Sequence, residues 1–435
     1  MYELVNLEKE EYENFVKNSK KSHFLQSYAW GEFEKKERNL TPYYLGLKKD
    51  KKILATALLL QKHLPMHYSY FYSPRGFVID YEKEELFIKM TKEITKFVKQ
   101  KKGIFLKIDP DIVRKSYNYK EEENKLTHNP EKIFKMIKKA GFKHLGFTQN
   151  FETKQPRFTF RIDLTQSMEE IKEHFSKTTK QRINKAKKLN TKVELGTVKD
   201  IHEFFHLMTL TEERKDFVSY KESYYKNLYD IFNQDNKMTL FLGKINIKEI
   251  INNLNLNKTQ IEKEIQSLPT ENLSKSAKSK LKELEKRLEK TKEDINKYQK
   301  YQKEYKDTIT LNAHMIIEYA NKAWVLYAGN HNILTETYAN YHTYLKHLEF
   351  CKERNLKIYD QFGTIGDLNK DNSRLGLHEF KKKFGGDYIE FLGEFDYITN
   401  KPLYFIFNKL VPFYRNHKKK KSRKELKNEV NRNKR

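Results

Sequence analysis

Between residues 247 and 305 apolar side chains recur at alternating spacings of four and three, and no other stretch limits the fold as strongly. Ile247, Ile251, Leu254, Lys258, Ile261, Ile265 and Leu268 form one stripe; Ala277, Leu281, Leu284, Leu288, Thr291, Ile295, Tyr298, Gln302 and Tyr305 form a second. Such spacing keeps each stripe on one helix face, which needs a partner to bury it. Pro269 breaks the run. Folding back across residues 269–276 sets Ile265 against Leu281, Ile261 against Leu284 and Ile251 against Ile295. The sequence therefore predicts an antiparallel two-helix coiled-coil arm over 246–307. A continuous dimerisation coil is the alternative, giving a homodimer or a complex with a paralogue.

The flanks of the arm read as a mixed α/β chain. Strands are expected at 53–60, 68–72, 104–108 and 147–151, with helices at 82–101 and 130–140 that end at Gly103 and Gly141. After Pro156 the pattern restarts: a strand at 158–164, one helix over 168–189, a strand at 191–195, a helix at 201–211 and a strand at 238–244. Beyond the arm come strands at 308–318 and 323–328, a helix at 336–354 and a strand at 357–361. Two units of similar character imply a duplicated fold: a first over 1–155, completed by about 396–415, and a second over 156–245 and 308–395.

A net charge of +27 points to a polyanionic partner, because clustered Lys and Arg displace counterions from phosphates. The charge is concentrated: residues 171–192 hold eight Lys and Arg against one Glu, and the tail 416–435 holds ten against two. The lone Cys351 excludes an intrachain disulfide and a cysteine-cluster metal site. The N-terminal residues have neither a basic start nor an apolar core, and no apolar run approaches the roughly 20 residues that span a bilayer. A cytoplasmic location is expected.

Several short motifs carry a resemblance. Gln26-Ser27-Tyr28-Ala29-Trp30, Tyr72-Ser73-Pro74-Arg75-Gly76, Leu106-Lys107-Ile108-Asp109-Pro110, Ala323 to Gly329, Tyr359 to Gly363 and Gly376 to Gly386 occur in an order that resembles the Fem family of peptidoglycan aminoacyltransferases (FemA, FemB, FemX). It is closest to the FemA and FemB type, which carries such an arm. The resemblance implies twin acetyltransferase-like (GNAT-like) domains. It also implies aminoacyl-tRNA as donor, the peptide of lipid II as acceptor, peripheral contact with the inner face of the cell membrane, and no cofactor or metal. The transferred residue is left open among glycine, serine and alanine.

The same resemblance implies roles residue by residue. Asp109 and Glu394 are the candidate catalytic carboxylates. Tyr224, Tyr327, Lys381 and Lys382 are candidate substrate contacts. Lys177, Lys180, Lys187 and Lys188 share one face of a basic helix suited to a tRNA backbone. Two positions depart from the family. Where members place a cation for the acceptor's phosphates, this chain has Glu34, and where a second cation is expected it has Tyr220. Lys35 and Lys221, each one residue further on, are the expected substitutes. Two alternatives remain: a specialised paralogue conferring immunity to a bridge-cutting peptidase, and a noncatalytic RNA-binding protein.

Overall fold

The computed structural model describes residues 2–215, 219–269 and 274–408. The basic tail 416–435 lies outside the described residues. The chain forms two mixed sheets. The first runs in the order β1 (Tyr2–Asn6), β2 (Thr41–Lys49), β3 (Lys52–His63), β4 (Ser69–Ser73), β5 (Gly103–Ile108), β15 (Phe395–Ile398) and β7 (Phe142–His144). The second runs β6 (Val113–Tyr117), β14 (Asp387–Phe391), β8 (Phe158–Asp163), β13 (Ile358–Asp360), β12 (Lys322–Asn330), β11 (Thr308–Tyr319), β10 (Met238–Asn246) and β9 (Lys192–Gly196). This is the mixed α/β architecture expected from the sequence.

Local chemistry sets the hairpins. Lys49 pairs with Lys52 across Asp50 and Lys51, whose φ values of 50° and 66° supply the two left-handed residues of a tight turn that follows the strands' twist. The helix Glu84–Gln100 buries Leu86, Phe87, Met90, Ile94 and Val98 on the first sheet, and Ala339–Glu353 buries Tyr344, Leu345 and Leu348 on the second. A third core lies at the seam, where Phe24, Trp30 and Phe33 meet Phe204, Tyr225 and Trp324.

The arm consists of Ile247–Gln266 and Lys275–Tyr305, packed on each other. Asn246 caps the first helix by accepting from the Glu249 N–H, and Ser274 caps the second by accepting from Ala277. The Ile247 N–H donates to the Asp307 carbonyl at 2.8 Å, so the pair leaves and re-enters the β10–β11 hairpin at one point. Ile251, Ile261, Leu284 and Ile295 are buried and Ile265 and Leu281 half-buried, as the two stripes require. Burying a side chain such as Leu284 or Ile261 contributes about 1.5–3 kcal/mol.

Three expectations need correction. Residues 147–151 are not a strand, and the strand there is Phe142–His144. Phe147 instead lies against the guanidinium groups of Arg114 and Arg157, so its apolar face is used by cations and not by a sheet. The single helix expected at 168–189 is two, Met168–Glu173 and Lys177–Lys188, because Phe175 turns into the core and Ser176 caps a new helix through the Thr179 N–H. Finally, Val113–Tyr117, from the first half of the sequence, pairs with β14 at the edge of the second sheet.

Candidate active site

A cleft of about 890 Å³ opens between the sheets, and a second lobe of about 530 Å³ shares Trp30, Arg38, Tyr70, Lys154 and Gln155 with it. Its floor is ionic. Antiparallel pairing of β5 with β15 sets Lys107 opposite Asp396. Just before β15, Gly393 adopts φ +91°, a conformation that suits glycine, and turns Glu394 to the same place. The Lys107 Nζ stands 2.8 Å from Glu394 Oε2 and 3.0 Å from Asp396 Oδ1, while the Tyr404 hydroxyl donates to Asp396 Oδ2 at 2.8 Å. Glu394 Oε1 also accepts the Lys154 N–H at 2.5 Å. Burial disfavours the Lys107 ammonium, but Asp396 and Glu394 outweigh it and hold the group above its ordinary value. Burial prevails at Asp396 and raises its carboxyl despite Lys107.

The wall opposite is aromatic. The hydroxyls of Tyr224, on the helix Glu222–Asn233, and Tyr327, on β12, lie 2.9 Å apart. Tyr220 stacks on Tyr224 with ring centres 3.9 Å apart. Burial pushes both Tyr224 and Tyr327 well above the ordinary phenol value, so they remain O–H donors.

Arg38 was missed by the sequence reading. It ends the helix Tyr28–Arg38 and lines both lobes. It pairs with Glu34 Oε1 at 3.2 Å, and its Nη2 donates to the Tyr220 hydroxyl at 2.9 Å. Glu34 and Tyr220 stand at the two positions where the resemblance implied cations, and one arginine joins them. The signal was present as the i,i+4 spacing of Glu34 and Arg38 on one helix face.

The other expected residues fall into three groups. Tyr224, Tyr327 and Glu394 line the cleft. Asp109 is buried behind its wall: it accepts the Tyr72 hydroxyl at 2.8 Å and the Arg75 N–H at 2.7 Å, and Tyr72 lines the smaller lobe. Burial pushes Asp109 up to about 6, against the lowering effect of Arg75. Lys177, Lys180, Lys187 and Lys188 are exposed on the outer face of a helix whose Thr179, Ile183 and Ala186 are buried.

Four lysines are placed elsewhere. Lys35 is exposed and lies 3.6 Å from Glu32, and Lys221 is exposed at the start of the helix Glu222–Asn233; neither lines the cleft. On the helix Tyr28–Arg38 a one-residue shift turns a side chain by about 100°, which carries Lys35 away from the direction of Glu34, while Lys221 is the extended residue that precedes its helix. Lys382 pairs with Glu121 at the surface. Lys381 is buried, and its Nζ donates to the carbonyls of Gln361, Phe362 and Gly363 at 2.7, 2.6 and 2.8 Å. All three N–H bonds of its ammonium are thereby used, which removes it from phosphate binding. Burial pulls it down to about 7, and its position braces the loop that presents Phe362 to the cleft.

Among the described residues, no group of three or more His, Cys, Asp or Glu is arranged to hold a metal ion, and no helix is long and apolar enough to cross a membrane.

The FemAB family model matches residues 7–411. The chain belongs to the FemAB family. Relatives named lipid II:glycine glycyltransferase are 28% identical over 428 residues in Staphylococcus epidermidis and 29% over 433 residues in Staphylococcus aureus, each alignment spanning 97% of this chain and 99% of the relative. A crystal structure of FemX is 27% identical with a TM-score of 0.75, covering 93% of this chain and 99% of that one. In this FemAB-family chain the cleft thus lies in a scaffold shared from end to end with those proteins.

Proposed function

We propose that this chain transfers an aminoacyl group from aminoacyl-tRNA to the amine of the peptide carried by lipid II, building the interpeptide bridge of peptidoglycan at the cytoplasmic face of the membrane. Glycine, which appears in the relatives' names, is the first donor to test, followed by serine and alanine. One observation carries the reading: the paired Tyr224 and Tyr327 hydroxyls share a cleft with the Lys107, Glu394 and Asp396 floor in a chain aligned throughout with lipid II glycyltransferases.

The donor ester is already activated, so alignment and charge stabilisation are the main demands. The acceptor amine attacks the ester carbonyl carbon, a C–N bond forms, and the C–O bond to the tRNA ribose breaks. The amine's proton ends on the departing ribose oxygen. One of the two tyrosine hydroxyls donates to the other, which leaves a hydrogen for the developing oxyanion. Glu394, fixed by Lys107 and the Lys154 N–H, orients the amine. Asp109 reaches the cleft through Tyr72 and can hold a proton in transit. Arg38 takes the acceptor's pyrophosphate, and Lys177, Lys180, Lys187 and Lys188 take tRNA phosphates.

Purified protein supplied with lipid II and glycyl-, seryl- or alanyl-tRNA is expected to give a product heavier by one or more aminoacyl residues in mass spectrometry. A Tyr224→Phe, Tyr327→Phe double variant should lower kcat by roughly a hundred- to a thousandfold, the scale of a lost oxyanion donor. Tight RNA binding with no product from any of the three donors would favour the noncatalytic reading.

A further inference from the structure

The cleft has an apolar rim that the transfer reaction does not use. Residues 401–408 form a helix after β15. Its N-terminus is capped by Asn400, whose Oδ1 accepts from the Leu403 N–H at 3.1 Å. Its inner face, Leu403, Tyr404 and Phe407, packs on Phe105 and Tyr70, and Tyr404, Phe407 and Asn408 line the cleft. Its outer face carries Phe405, 60% exposed, and Ile406, 49% exposed. The adjacent turn 65–67 presents Met66, 75% exposed, while the flanking Leu64 and Tyr68 pack in the same cluster. Large apolar side chains are therefore presented outward beside the cleft mouth, and exposed apolar groups gathered in one place mark a surface that meets a partner.

The sequence that follows is strongly basic: twelve Lys and Arg against two Glu over 409–435. Apolar side chains followed by clustered cations match the two halves of an anionic bilayer surface, an acyl boundary and a layer of phosphates. RNA would satisfy the cations and its unpaired bases can stack on an aromatic ring, but it offers nothing comparable to the aliphatic Ile406 and Met66. We propose that the 401–408 helix and the 65–67 turn are a membrane-docking face that inserts Phe405, Ile406 and Met66 into the interfacial region of an anionic leaflet and sets the cleft mouth against the bilayer. The inference rests on the lipid-linked acceptor proposed above for its purpose, but not for its test.

The test uses the full chain and vesicles that contain no peptidoglycan precursor. Partition onto phosphatidylglycerol/phosphatidylcholine vesicles is expected to fall about tenfold or more in the Phe405→Ser, Ile406→Ser variant. A Phe405→Trp variant reports insertion directly: the emission of the introduced indole should shift to the blue on those vesicles and be quenched by brominated acyl chains, above the background of the buried Trp30 and Trp324. Unchanged partition of the double-serine variant, or indole emission in the Phe405→Trp variant that responds to tRNA and not to vesicles, overturns the inference. Loss of partition to vesicles together with retained turnover of a soluble, lipid-free peptide acceptor supports it. Failure of all transfer with normal insertion would instead strike the proposed reaction and leave this face standing.

Discussion

Two buried clusters have the same arrangement of charges and opposite behaviour. In each, one cation stands between two carboxylates. Lys107 holds Glu394 and Asp396 at the cleft floor, and Arg161 holds Asp111 and Asp360 at 2.8 Å each where the 109–112 link meets the second sheet. Burial wins at Asp396, which is raised, whereas at Asp111 burial is outweighed by Arg161 and the carboxyl falls well below the ordinary range. The guanidinium is a rigid fork that fixes two acceptors in plane, while an ammonium is a point charge on a flexible stem. The first arrangement keeps a carboxyl within reach of a proton, and the second locks a joint.

The largest test of this contrast is Arg161→Met. It strands two buried carboxylates and should cost about 3–5 kcal/mol of stability in denaturant titration. Whatever remains folded should keep kcat within about twofold. Lys107→Met should show the reverse emphasis, a fall in kcat of roughly a hundredfold, about 2.7 kcal/mol of transition-state stabilisation, with a smaller loss of stability. If Lys107→Met destabilises the chain but leaves kcat intact, both clusters are joints and the contrast is broken.

Smaller effects sharpen it. Arg38→Met should raise KM for the lipid-linked acceptor about tenfold, the scale of one charge-assisted hydrogen bond, without changing KM for aminoacyl-tRNA. Lys35→Met and Lys221→Met should each move either constant less than about twofold. If proton transit runs through Asp109, raised to about 6, transfer should fall about fivefold between pH 6 and pH 5. Asp109→Asn should flatten that limb of the pH–rate profile. The same group acts on the fold with its own sign. Because the folded state holds the proton more tightly than the unfolded chain, whose value is about 3.9, stability contributed at low pH is lost as pH rises from about 4 through about 6. The Asn variant should lack that slope.

How much of this was legible in the sequence depended on the range of the interaction. The two packed helices of the arm were legible, because helical periodicity is local and Pro269 marks the break. Tyr224, Tyr327 and Glu394 came from motif resemblance, and the structure brings all three to one cleft. Lys107 stood inside a quoted motif, yet its role depends on Asp396, which local pattern cannot connect to it. Lys381 misled because a lysine beside Gly385 and Gly386 looks like a phosphate ligand, and only tertiary structure reveals three carbonyls already bound to it. Phe147 misled for a similar reason, since an aromatic stacked under arginines has the same letter as one in a strand.

The exchange of strands between the sheets has a consequence for synthesis on the ribosome. The first sheet receives β15 from near the end of the described chain, between β5 and β7, and the second takes β6 from the early part. Lys107 meets Glu394 across 287 residues, so at about 5–20 residues per second it emerges about 15–60 s before its partner. Throughout that interval the edges of β5 and β7 that β15 will join are open to any extended segment nearby. Emerging chains on neighbouring ribosomes carry the same exposed edges, so the interval favours chaperone engagement and makes ribosome spacing a determinant of the yield of folded protein.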